Sequence, residues 1–440
     1  MNQDPESLAR RLMAQADQFI GRGDYRRALA AAERAFDICR SQLGGRHPLF
    51  GSAAARLGTL CRSLGRFPEA VSFFCEALEN CRTAFGTDHP NYAACLSNLG
   101  GAYEALGDLP AARPLYTEAV EIAGRTIPDH PHHATCLNNL GLLCFKCGEY
   151  ERAEQLFQQA YQIDLHALPR NHPELATDLN NLAGLFQAAG RFTEAETAFK
   201  QALDITATAY GEEHPETAIR LNNLAMLYQA MARNSKAEQF FEQALGVWGR
   251  SLGKHHPLYA TAVNNLARLR IAQGRFQEAE SQLQESLSIR QNAFGEDHAE
   301  VAINLKDLAV LHMTMGRYDC AEALLQKSLT IGRDLLGPRH PDVANGLTYL
   351  SDLCRQQGRY QVAERLCREA VEIWKATVGE NHPAFAQSLV GLASICHAVG
   401  RYPEAETLAQ QALRIEQGHG LVRADTLTSL ASVLESLGRY

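Results

Sequence analysis

The chain has 440 residues, a net charge of −8, and 21% charged against 46% hydrophobic residues. That balance supplies ample core material and leaves no excess of Lys and Arg to grip nucleic acid or an anionic membrane. No stretch approaches the ~18 uninterrupted apolar residues of a membrane span, and twelve cysteines at no common spacing read as reduced thiols of a cytoplasmic protein, packed as small hydrophobes.

The N-terminus, MNQDPESLARRLM, lacks the apolar region of a secretory leader. Residues 6–22 predict a first amphipathic helix with Gln15 where later units carry leucine, and residues 1–46 read as an N-terminal capping repeat. From there the chain repeats itself. His-Pro recurs at His47, His89, His130, His172, His214, His256, His340 and His382, with His298-Ala299 in the gap; the step is 42 residues, once 41. Glycine, a variable residue and usually an aromatic run in step (Gly23, Gly65, Gly107, Gly148, Gly190, Gly274, Gly316, Gly358, Gly400, Gly438), and Ala232 stands at the missing place.

Each unit predicts two helices. Proline suits the first turn of helix A, and glycine permits the turn that ends it. Helix B carries alanine five residues after that turn in every unit, from Ala28 to Ala405, and another small residue seven further on. A position that stays small implies close helix approach. On helix A an aliphatic row that includes Leu57, Leu99, Leu140, Leu182 and Leu224 completes one apolar face, which stacked neighbours must bury. The whole chain, 1–440, is therefore one array of about ten and a half helix pairs. The last unit, 424–440, is incomplete: Leu427, Leu430, Ala431 and Leu434 form an apolar face before the chain breaks off at Gly438-Arg439-Tyr440. This raises two expectations, self-association through that uncapped helix and a continuation in a longer protein.

The pattern Leu182-Ala183-x-x-Phe186, then Gly190, Phe192 and Ala195, resembles the tetratricopeptide repeat. The 42-residue period, the His-Pro loop and the LNNLA block are similar to its kinesin-light-chain subtype. The resemblance implies an all-α solenoid, a right-handed superhelix whose concave wall is lined by A helices. With no sustained heptads, the chain resembles the cargo-binding part of that subtype rather than a whole kinesin light chain.

The candidate site is a double asparagine on helix A. Its second member reads Asn98, Asn139, Asn181, Asn223, Asn265 and then Asp307; its first reads Ser97, Asn138, Asn180, Asn222, Asn264 and Lys306. The resemblance places both on the concave wall, where a carboxamide offers a donor and an acceptor to an extended peptide. The alternative is that the amides bond one another or neighbouring backbone. The family's carboxylate clamp needs Lys or Arg where this chain has Thr135, Thr177, Ile219 and Thr261, so an acidic C-terminal tail is not expected. Lys146, Arg268, Lys306 and Arg355 leave an acidic or aromatic-acidic peptide open.

Other motifs read as structural. The cluster His130-Pro131-His132-His133 has no second element to complete a metal site. Cys144-x-x-Cys147 lacks a partner CxxC, and Gly249-x-Ser251-x-Gly253 lies at a helix end instead of the strand–turn–helix of a nucleophile elbow. The expected function is a non-enzymatic protein-interaction scaffold without cofactor. The alternative is the sensor or regulatory segment of a larger effector, such as a signalling ATPase or caspase-like protease.

Overall fold

The structure, a computed structural model, describes residues 4–420 and 423–438; Arg439 and Tyr440, on which the eleventh unit ends, lie outside them. Among the described residues it holds 21 α-helices and one π-helical turn, Cys39–Leu43, and no strand. The helices pair off as expected: Pro5–Gly21 with Tyr25–Ile38 is repeat 1, Pro173–Ala188 with Phe192–Tyr210 is repeat 5, Pro383–Ala398 with Tyr402–Gly418 is repeat 10, and Ala424–Ser436 stands as the A helix of repeat 11.

Histidine and proline together start eight of the A helices, from Pro48–Ser63 to Pro383–Ala398. Proline occupies the first helical position, and the histidine before it is the N-cap. In all nine units its Nδ1 accepts from the backbone N–H two residues on, at 3.0–3.3 Å, and His298 does so without a following proline. An imidazole nitrogen thereby fills the place usually taken by a Ser or Asp oxygen. At the other end the chain turns through a left-handed residue, glycine at ten turns and Ala232 (φ 56°) at the eleventh. Arg233 after it has φ −87° and ψ 62°, close to the −81° and 60° of Arg191, so the irregular turn leaves the backbone path unchanged.

The small residues do what their constancy implies. Every one of the ten alanines from Ala28 to Ala405 is 0% exposed. Where the second small position is serine, the hydroxyl donates back to the preceding A helix, Ser286 to the Ala260 carbonyl at 2.9 Å and Ser328 to that of Ala302 at 2.8 Å. The apolar core runs on from unit to unit: Leu179, Phe199, Leu224, Phe241 and Leu266, drawn from three repeats, form one cluster. Each such side chain contributes roughly 1.5–3 kcal/mol. Consecutive A helices approach one another along the array, while consecutive B helices stand farther apart, so the A helices line the inner wall.

The superhelix completes one turn in six repeats, and its second turn rests on its first. The Gly23 turn of repeat 1 meets His256 and Pro257 of repeat 7, Gly65 meets His298, Gly107 meets His340 and Pro341, and Gly148 meets His382 and Pro383. Gly107 is the tightest point: a β-carbon there would lie 2.5 Å from His340 Cδ2. Tyr25 packs on Phe294 with ring centroids 5.2 Å apart, Tyr150 packs on His419 at 5.3 Å, and an open cleft of about 620 Å³ lies between the turns. The shortened loop after repeat 10 thus takes part in the seam; the His419 ring nitrogen Nε2 also bonds the Asn381 carbonyl at 2.6 Å.

Candidate functional site: an asparagine ladder on the inner wall

The asparagines of the middle repeats bond across repeat boundaries. The second asparagine of one repeat donates its Nδ2 to the Oδ1 of the first asparagine in the repeat before: Asn181 to Asn138 at 3.4 Å, Asn223 to Asn180 at 2.7 Å, Asn265 to Asn222 at 2.9 Å. At repeat 8 the second position is Asp307, which can only accept, and the bond reverses: Asn264 donates to Asp307 Oδ2 at 2.7 Å. Asn138 in turn donates to Asp178 Oδ1 at 2.5 Å. The helix period explains the spacing, because residues 43 apart stand side by side on adjacent A helices.

The two members differ in burial. Asn222 and Asn264 are 6% and 4% exposed, and Asn138 and Asn180 are half-buried. Asn139, Asn181, Asn223, Asn265 and Asp307 are half-buried, and Asn98 is exposed. Each second asparagine of a rung spends one N–H on its neighbour. Its carbonyl oxygen and remaining N–H are free of the rung.

Apolar side chains flank the ladder. Met226 and Ile303, at 37% and 36% exposed, lie three residues beyond Asn223 and three before Lys306, with Leu142, Ile219 and Val310 half-buried in the same rows. The clamp positions are neutral and bonded back to their own helices: Thr135, Thr177 and Thr261 donate to carbonyls four residues earlier at 3.1, 3.4 and 3.3 Å. Of the groove-side cations, Lys146 pairs with Glu104 at 2.6 Å, Arg355 with Asp352 at 2.5 Å, and Lys306 sits 5.8 Å from the Tyr349 ring centre; Arg268 is exposed.

The remaining motifs are built into the fold. His130 caps its helix and His133 Nδ1 bonds the Pro128 carbonyl at 2.8 Å. Cys144 is fully buried and its thiol is pushed up to about 11 by burial, the wrong direction for a nucleophile. All twelve cysteines are free. Ser251 donates to the Val247 carbonyl at 2.7 Å within its own helix. On the last helix Thr426 and Val433 are buried and Leu427 is 48% exposed.

One set of residues escaped the sequence reading. In six consecutive units arginine follows the turn residue, and it pairs with a glutamate 37 residues earlier on the preceding B helix: Arg191–Glu154 at 2.7 Å, Arg233–Glu196 at 3.3 Å, Arg275–Glu238 at 2.7 Å, and so on to Arg401–Glu364 at 2.5 Å. The signal was present, since each glutamate directly follows the constant alanine.

An array of helix pairs with a polar ladder along its inner wall defines an α-solenoid of the protein-interaction class. The chain belongs to the tetratricopeptide repeat family, whose model matches residues 9–83, 50–125, 106–165, 174–248, 239–292, 258–319, 300–375 and 342–418. Among solved structures it is similar to the nearly identical TPR-like repeats assigned to a kinesin light chain of Podosopora anserina, at 27% identity and TM-score 0.40, over 46% of this chain and 97% of that one. It is also similar to BtubC (BKLC) from P. vanneervenii, at 26% identity and TM-score 0.43, over 52% and 92%. A Rap protein complexed with competence and sporulation factor aligns at 15% identity and TM-score 0.48, over 82% and 99%. No curated protein matches the chain. Among the described residues no helix is long and apolar enough to cross a membrane.

Proposed function

We propose that the chain is a non-enzymatic scaffold whose inner wall holds an extended peptide segment of a partner protein, in the cytoplasm. The observation that carries this reading is the second asparagine of each rung: the neighbouring repeat fixes its orientation, yet its carbonyl and one N–H remain available. A row of three such amides, Asn181, Asn223 and Asn265, presents a donor and an acceptor in each of repeats 5 to 7, as main-chain groups of an extended peptide require. The first asparagines then act as positioning residues behind the second. Met226, Ile303 and Leu142 beside the ladder favour apolar side chains on the peptide, and the pairing of Lys146 and Arg355 with acids removes much of the charge an acidic peptide would need.

Selection from a displayed library of unstructured peptides, followed by anisotropy titration of a selected peptide, tests the proposal. The Asn181→Ala/Asn223→Ala double variant is expected to bind at least tenfold more weakly. Each substitution also removes one inter-repeat bond, at a cost of about 1 kcal/mol, which a long array tolerates with its helicity unchanged. Equal affinity for wild type and variant would remove the ladder from the binding surface.

A further inference from the structure

The histidines of the seam differ from those of the first turn in what lies against them. His256, His298, His340 and His382 each spend Nδ1 on the N–H of their own helix, at 3.2, 3.1, 3.0 and 3.0 Å. Their other ring edge faces the opposite turn of the superhelix. His298 Nε2 lies 3.3 Å from the Ser63 carbonyl, and His340 and His382 reach the carbonyl groups of Ala105 and Lys146. In these three the neutral ring with its proton on Nε2 satisfies both demands at once, donating across the seam and accepting within the helix, while the His256 ring edge packs against the Gly23 turn. A second proton has only Nδ1 to occupy. There it meets a backbone N–H at the positive end of a helix, which ends the cap and sets like charge against like.

We propose that the seam is a pH-operated clasp: the second turn sits on the first while these four histidines are neutral and lifts away when they are protonated. His256 shares the inter-turn cleft with Tyr25, Arg62, His298 and Glu300. His298 has Glu300 on its own helix and Arg290 on the preceding B helix. His340 has Asp342, 3.7 Å away, and Lys146 from the opposite turn, while His382 faces His419. Glu300 and Asp342 favour the proton, but burial outweighs them. All four histidines are held below their ordinary range with burial as the first cause, and His382, also opposed by His419, is pushed down to about 4.

The sign follows from linkage. The closed form binds fewer protons than the open one, so closure is complete above about pH 6.5 and is lost as the pH falls below it. A histidine that titrates near 6.5 when open and stays neutral when closed weakens closure about 30-fold at pH 5.

The test is small-angle scattering of the full chain between pH 8 and pH 5, with circular dichroism on the same samples. The expected result is an increase in maximum dimension below about pH 6 at constant helicity. Substituting His256, His298, His340 and His382 with asparagine, which caps a helix without titrating, should remove the pH response. The pair His89→Asn/His172→Asn, which replaces equivalent caps on the edge of the first turn away from the seam, should leave it intact. A single His298→Asn variant, expected to weaken the response partially, guards against misfolding of the fourfold one. An unchanged wild-type dimension, expansion that tracks loss of helicity, or the same response in the histidine-to-asparagine variants of the seam would each overturn the proposal.

Discussion

Ala232 does in one turn what glycine does in ten others. Its φ of 56° puts a β-carbon in the left-handed region, yet the turn keeps the same shape because the repeats on either side hold it there. The strain is local and removable. Ala232→Gly is expected to stabilise the protein by about 1 kcal/mol, read as a shift of the urea midpoint with unchanged slope. At this scale the sequence was easiest to read where one residue type faces one constraint, as with Ala28 through Ala405 at the helix crossing. The asparagines were harder. Their positions were plain, but a bond between Asn181 and Asn138 depends on the lateral offset of two helices, which no single helix encodes. The structure shows the alternative reading of the pair, Asn181 bonding its neighbour Asn138, and the proposal rests on the amide atoms this bond leaves over.

Between helices, the contact of helix B in one repeat with helix A of the next varies more than the alanine row suggests. In the fourth unit this contact holds Asp164 and Asp178, 3% and 1% exposed, side by side. Burial raises Asp178 well above the ordinary carboxylate range, aided by Asp164 and opposed by the hydrogen bond from Asn138. Burial likewise raises Asp164. A carboxyl group that holds its proton more tightly when folded stabilises the fold fully below its unfolded value of about 3.9, and the contribution is lost as the pH rises through the folded value. The Asp178 contribution should therefore shrink from about pH 4 up through neutrality, so that the stability difference between wild type and Asp178→Asn changes with pH by an amount on the order of 1 kcal/mol or more. Parallel pH profiles of the two proteins would fail the prediction. In the next unit the same two positions hold Thr206 and Arg220, also buried. A periodic sequence conceals such swaps because the pattern records size, while the pairing of charge is visible only when both helices are in place. The Arg–Glu pairs at the turns are the counterexample, regular enough in sequence to have been found.

Over the whole molecule, the 42-residue period gave the helix pairs and their stacking, and the structure follows it. The pitch was not legible. It is the sum of small rotations per repeat, and only that sum decides whether repeat 7 clears repeat 1 or lands on it. One trace of the contact does lie in the sequence. Of the four units whose turn glycine enters the seam, three carry an acid after it, Asp24, Asp108 and Glu149, and the second carries Arg66, while the units from Arg191 to Arg401 all read arginine. Repeats 1–4 and 7–10 brace one another, and repeats 5 and 6 carry the link between them. Backbone amides of the helices Phe192–Tyr210 and Asn234–Ser251 are accordingly expected to exchange with deuterium faster than their counterparts in repeats 3 and 8. Uniform protection across the array would contradict the bracing.

A solenoid held only by neighbour contacts can gain or lose a unit at little cost, and gene duplication exploits that freedom. Here His340 fits over Gly107 to within a β-carbon's width, and the four glycine–histidine meetings share one count of six. Adding a single unit between the two turns would slide every meeting onto a neighbour with a different residue after its glycine, and deleting one would leave His256 without a turn to meet. The copy number of the units between the turns is thus itself under structural constraint, much as tooth number is in meshed gears.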